Sequence, residues 1–268
     1  MQEILSLTFM QNAFLGGILI SIACGVVGSL VVINRMTFIA GGISHGAYGG
    51  IGIAFFLGIS PLLGASVFSV FLAVVVASLT LKEKERFDSI IGAIWAFGMA
   101  LGIIFIDLTP GYSSDLMSYL FGSILMIDRA SLGFITAVDV GIVALVVLFY
   151  KEFCAVSFDM EFAKLRGVKT ELFYYILVFM MALCVVATIQ VVGLILVIAL
   201  LTIPPYIAEI FSKNLAEMMI KASFISAIFC ITGLMLSYKF NLTSGASIIM
   251  VASVCFFIVV TFKNLAKR

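Results

Sequence analysis

His45 is the chain's single histidine, set in Gly41-Gly42-Ile43-Ser44-His45-Gly46-Ala47-Tyr48-Gly49-Gly50 within an otherwise apolar run. An imidazole is a metal ligand and a proton carrier, and an ionisable residue inside a membrane segment marks a site by default. Gly41 and Gly49 lie one helical turn to either side. A helix would therefore give the ring a gap or a backbone to face, not a wall of side chains. The bland reading is a packing histidine bonded to a carbonyl or a hydroxyl. Only neutral imidazole binds a metal, so a metal contact here predicts inhibition by acid. Asp139 is the second candidate: it falls in the middle of an apolar segment, either as a pathway contact or simply paired with Thr136.

The elements that must position these residues follow from composition. The chain has 268 residues, 63% of them hydrophobic and 11% charged, with a mean hydropathy of +1.28. Such a chain is not an ordinary soluble domain. Its apolar runs of about 20 residues match a bilayer core, which predicts an all-α, polytopic helical membrane protein forming one domain over residues 1–268. Nine spans are expected, near 9–33, 38–58, 61–81, 88–107, 132–150, 171–190, 192–211, 222–238 and 243–262. Only Thr188, Gln190 and Gly193 interrupt the run from Glu171 to Phe211, so eight crossings are the alternative.

Charge favours nine. With the N-terminus outside, 13 of the 15 Lys and Arg residues fall on one side, and only Arg129 and Lys239 on the other. Removing one crossing weakens the split to 9 against 6. The positive-inside bias thus places the N-terminus outside and the C-terminus in the cytoplasm. A cleaved leader is not expected, since Met1–Leu7 has no basic start before the first apolar run. The loop Lys82-Glu83-Lys84-Glu85-Arg86 reads as a solvated connection.

Other features narrow the chemistry. The five cysteines are scattered without a CxxC pair and read as reduced packing residues. No GxxxxGK(S/T) loop occurs, so ATP would be handled by another chain. Gly42, Gly46 and Gly50 make two overlapping GxxxG steps on a face next to that of His45, the signature of close helix packing. Pro204-Pro205 should end or kink the seventh span, as a helix end or as a hinge or gate. On the cytoplasmic side, Ser157 or Asp159 can cap a short helix that Gly167 ends, with Phe158, Phe162 and Leu165 on one face. An exposed amphipathic helix of that kind suits a lipid surface or a partner groove.

Five segments in order resemble the permeases of metal-type ABC importers: residues 9–38, Ile43-Ser44-His45, Asp115 to Leu125, Phe158 to Ala163 with Gly167, and Leu200 to Pro205. The resemblance covers nearly the whole chain. It implies a type II importer-like fold in a bacterial inner membrane, as a homodimer or a pair of permeases. A separate ATPase would bind ATP, and an extracytoplasmic binding protein would deliver zinc, manganese or iron, zinc first. This chain would do no catalysis and hold no resident cofactor, the metal passing through only transiently. Phe158, Asp159, Glu161, Phe162, Ala163 and Gly167 would form the coupling segment to the ATPase.

One departure stands out. The family carries an Asp one turn before the His, and this chain has Gly41 there. His45 would supply one ligand, and two copies across a dimer axis two, while a closed zinc site wants four. Weak coordination suits a conduit. Asp139 is the candidate substitute for the missing carboxylate. The competing function is a secondary metal transporter or channel without an ATPase, for which one His, one Asp and no internal repeat are a thin complement. The paired Asp or HExxH groups of a membrane-embedded enzyme are absent.

Overall fold

A computed structural model describes residues 8–82, 87–110 and 127–266. The charged loop at 83–86 and the motif at Asp115–Leu125 lie outside the described residues. The described residues are helical throughout: α1 Thr8–Ile33, α2 Thr37–Leu57, α3 Pro61–Lys82, α4 Phe87–Asp107, α5 Arg129–Leu148, α6 Tyr150–Phe158, α7 Met160–Leu165, α8 Thr170–Val192, α9 Leu194–Phe211, α10 Leu215–Phe240 and α11 Ser244–Ala266.

By length and composition, seven of these helices are apolar enough to cross a membrane. The expectation of nine spans overcounts by this measure, for two physical reasons. In α2, glycines together with Ser44 and His45 dilute the hydropathy of a 21-residue helix. In α9 the apolar stretch, Val197–Phe211, is short. The ambiguity between Glu171 and Phe211 is resolved at Gly193, which separates α8 from α9 with φ 78° and ψ 169°. That conformation is almost restricted to glycine, so the run cannot continue as one helix.

α8 is apolar along most of its length and largely buried, with Val178, Met180, Met181, Ala182, Cys184, Val185 and Ala187 fully enclosed while Leu172 and Phe179 stay exposed. It touches α1, α2, α3, α5 and α9 and is the pillar of the bundle. On one flank α2 packs against α4 and α3; on the other α1 packs against α10, α9 and α5. Hydroxyl pairs tie α3 to the pillar, Thr80 Oγ1 to Tyr174 Oη at 2.8 Å and Ser78 Oγ to Tyr175 Oη at 3.0 Å.

Glycine sets how closely α2 approaches its neighbours, as the GxxxG steps predict. A Cβ at Gly98 on α4 would stand 2.5 Å from Gly46 Cα and 2.8 Å from its carbonyl oxygen. Backbone cannot swing aside as a flexible side chain does. Gly98→Val is therefore expected to prise α2 from α4 at a cost of about 1–3 kcal/mol, the usual range for overpacking. A lower melting temperature in detergent is the expected readout; an unchanged one would mean that the two backbones do not cross there.

Pro204 and Pro205 do not end the seventh predicted span: both are buried inside α9, which runs on to Phe211. Pro205 cannot donate to the carbonyl of Leu201. That carbonyl lies against α1 at Gly28, where only the lack of a side chain leaves room for it. α10 also begins earlier than the expected 222. Asn214 caps it by accepting the Glu217 N–H at 2.8 Å, and Glu217 accepts the Lys213 N–H at 2.8 Å and pairs with Lys221 at 2.7 Å. This is the reciprocal logic of a capping box, and its polar residues read as loop in a hydropathy scan. Asp128 caps α5 through the Ser131 N–H at 2.8 Å. Hydrogen bonds from Ser131 hold its carboxyl below the usual range. The cap's contribution is complete above the ordinary carboxylate pKa and is lost as pH falls through the depressed value.

Candidate functional site

His45 lies midway along α2 and does not face a gap. Its ring stacks on Trp95 of α4, with centroids 4.0 Å apart and planes 9° from parallel. This corrects the expectation that flanking glycines would leave the ring open. Gly41 does make room, but the indole fills it: a Cβ on Gly41 would stand 3.2 Å from Trp95 Cζ3 and 3.3 Å from Ile198 Cδ1 of α9. On the other side, a Cβ on Gly49 would stand 3.0 Å from the Gly98 carbonyl oxygen and 3.1 Å from Phe68 Cε1. Phe38 tilts against the same indole at 6.2 Å. The Nδ1 atom of His45 is buried without a hydrogen-bond partner, so it is not a packing histidine bonded through Nδ1 to a carbonyl. Neighbouring Ser44 is occupied with the carbonyl of Ala40 at 2.8 Å.

Asp139 is 4% exposed on α5, and neither carboxylate oxygen has a hydrogen-bond partner. It does not pair with Thr136, whose hydroxyl donates back to Leu132 at 2.8 Å. α5 packs against α1, α8 and α6, whereas α2 packs against α4, α3, α9 and α8. His45 and Asp139 thus ride on helices with no substantial interface. Among the described residues, no group of three or more His, Cys, Asp or Glu side chains is placed to hold a metal ion.

A small polar seam between α1, α8 and α10 escaped sequence reasoning. Cys24 Sγ meets Thr188 Oγ1 at 3.4 Å, and Ser21 Oγ donates to Cys230 Sγ at 3.5 Å. All five cysteines are free. The signal was present as small polar residues at helical spacing, Ser21 with Cys24 and Cys184 with Thr188. The missed partner at the central site is Trp95, whose signal was that it is the chain's one tryptophan.

The short helix expected before Gly167 is present but split in two. α6 ends at Phe158, and Asp159 caps α7 by accepting the Phe162 N–H at 2.9 Å. Gly167, with φ 83°, stops α7; its N–H bonds to Lys164 O at 3.0 Å and the Val168 N–H to Ala163 O at 3.1 Å. Ala163 is fully buried against the bundle, while Phe158, Phe162 and Leu165 are 72%, 54% and 87% exposed. Glu161 is exposed, and the Arg166 guanidinium lies 5.1 Å over the Phe162 ring. This segment is tied to the start of α2. Asn34 Nδ2 donates to Ser157 Oγ at 2.9 Å, and Arg35 turns the chain into α2 with φ 56°. Cavities of about 380 and 430 Å³ lie beside this corner, both lined by Arg35, Ser157 and Phe158.

Residues 6–263 match the ABC 3 transport family. The chain is 48% identical over 264 residues to an uncharacterized membrane protein, slr2045, of Synechocystis sp., covering 98% of this chain and 94% of the relative. It is 32% identical over 262 residues to the manganese transport system membrane protein MntC of Listeria monocytogenes, covering 98% and 93%. Among solved structures it resembles PsaBC from Streptococcus pneumoniae in complex with Fab, with a TM-score of 0.86 and 31% identity over 96% of this chain and 93% of that one. A multi-pass helical bundle and a match along nearly its whole length lead to one conclusion: the chain belongs to the ABC 3 transport family, as a non-catalytic membrane permease of the metal type that its motifs resemble.

Proposed function

We propose that this chain is the permease of an ATP-driven importer for a divalent transition metal. The observation that carries the reading is His45, a metal-ligand side chain midway along a buried helix, with Nδ1 free of any protein partner. Manganese heads the candidates, because MntC is named for manganese transport. Zinc, which the sequence put first, draws no support from that name, and neither does iron. In this reading the metal is cargo, touched in passing by His45 and released, as conduction requires. A second copy of the chain supplies a second His45 across the dimer axis. Asp139 serves as a separate contact, not as a co-ligand of His45 within one chain.

The ATPase docks on the exposed face of Phe158, Phe162 and Leu165, with Asp159, Glu161, Ala163 and Gly167 shaping the segment. Closure of the paired ATPases reaches α2 through Ser157, Asn34 and Arg35. Pro204 and Pro205 make α9 the helix best suited to bend, since they remove two of its internal hydrogen bonds. The distribution of Lys and Arg supports a bacterial plasma membrane orientation with the N-terminus outside and the C-terminus inside. An extracytoplasmic binding protein would deliver the metal to the outer face.

The alternative of an ATPase-independent transporter or channel finds no matching feature in the ABC 3 family assignment. The test is ATP hydrolysis by this chain in lipid with its ATPase. Stimulation by a manganese-loaded binding protein is expected. Metal flux through the chain alone, with no effect of the ATPase, would overturn the reading in favour of a channel.

A further inference from the structure

We infer that Trp95 is a positioning residue for the cation path, acting through its stacked contact with His45. The inference rests on the proposed transport of a metal past His45. Four observations carry it. The two rings lie parallel, with centroids 4.0 Å apart. The indole also fills the space over Gly41, so that even a methyl group there would press on Trp95 Cζ3 at 3.2 Å. No carboxylate joins His45 in a metal-ready cluster among the described residues. And Nδ1, buried and unpartnered, is a ring atom on which a cation can be taken without breaking an existing bond.

An imidazole that coordinates a divalent ion takes on positive character. The face of a tryptophan ring attracts such charge when it lies within about 6 Å of the ring centroid, and more strongly when water is excluded. Here the indole lies well inside that limit, in contact along the whole imidazole plane. Trp95 therefore favours the metal-loaded state of His45 over the empty one. It also fixes the plane of the imidazole ring. Gly41 is what permits the arrangement, since a larger residue would displace the indole. In place of a second anionic ligand, this permease uses a π face. That choice lowers the total attraction for the ion and so assists release, which a conduit needs as much as capture.

Trp95 is the only tryptophan of this chain, so the difference in emission between the wild-type complex and the Trp95→Leu complex isolates this contact. The experiment uses the full complex in lipid, with manganese ions as the probe. It measures uptake against metal concentration and Trp95 fluorescence over the same range. In the wild type, emission is expected to quench saturably with added manganese, and the quenching is expected to vanish in His45→Ala. Trp95→Leu is expected to raise the half-saturating metal concentration by about 3- to 30-fold, the range of a cation–π contact, with little change in maximal rate. Trp95→Phe should recover part of the difference, and Gly41→Ala should reproduce part of it with both ring residues left in place.

If the wild type takes up metal through His45 while Trp95→Leu and Gly41→Ala keep wild-type half-saturation, Trp95 is packing only and the inference fails, with the transport reading intact. If all three substitutions lower the maximal rate alone, the effect is structural and the inference fails likewise. If the wild type carries no metal at all, the transport reading fails, and this inference falls with it.

Discussion

Replacing His45 with alanine should abolish metal uptake while the complex still assembles and hydrolyses ATP at its basal rate. The expectation rests on where the ring sits. α2 gains its packing from Gly42, Gly46 and Gly50, which lie against Ile91, Leu72 and Gly64, and none of these contacts passes through the imidazole. Truncation leaves a hole beside Trp95 but removes no hydrogen bond of Nδ1, which makes none. Folding should therefore survive, whereas the one nitrogen ligand on this path is gone. Even groups that merely orient a metal ligand are worth about 10- to 100-fold, so losing the ligand itself should lower uptake by roughly 100-fold or more. Tracer uptake, normalised to the amount of assembled complex, is the measurement. Normal transport by His45→Ala would reduce His45 to a packing residue stacked on Trp95.

The second large effect is expected at the exposed apolar face of α6 and α7. Phe162→Glu combined with Leu165→Glu should uncouple the permease from its ATPase. Both side chains are more than half exposed, so the fold loses little when they change. Buried apolar anchors at an interface are worth about 2 kcal/mol or more each, which is roughly 30-fold in affinity. Placing a charge in the same groove adds a desolvation penalty. Loss of ATPase co-purification is the expected readout. Asp159→Ala should act in the same direction but mildly, since a lost N-cap costs about 1 kcal/mol, near fivefold. Asp159→Asn, which still accepts the Phe162 N–H, should be nearly silent. If the double variant binds the ATPase normally, this apolar face is covered by lipid and not by a partner.

Much of the architecture was legible from hydropathy alone, because a bilayer imposes a length on every crossing. The long helices fall where the apolar runs place them. Gly193 splits the apolar run where the sixth and seventh spans were expected to part, and its positive φ is the reason. The errors arose where one residue outweighs the average. Asn214 and Glu217 begin α10 in a stretch too polar to read as helix. Pro204 and Pro205 suggested an end to a helix that continues, because Gly28 on a distant helix makes room for the freed carbonyl of Leu201.

The centre of the site was half legible. His45 was apparent as a polar residue where apolar ones prevail, and the glycines around it announced close packing. Its partner was not, since Trp95 lies on another helix and no local period connects the two. The same limit applies to Asp139. Its burial was foreseeable from the apolar segment, but its separation from His45 depends on which helices α5 and α2 choose as neighbours. The local structure of residues 157–167 was legible because its cap, apolar face and terminating glycine are all local.

The most direct test of the account is tracer uptake into liposomes that carry this chain with its ATPase, ATP enclosed inside, and a metal-loaded binding protein outside. Manganese, zinc and iron are offered in turn. The account predicts that one of them, manganese first, accumulates only when ATP and the ATPase are both present. Accumulation that is indifferent to the ATPase, or no accumulation of any of the three, would contradict it.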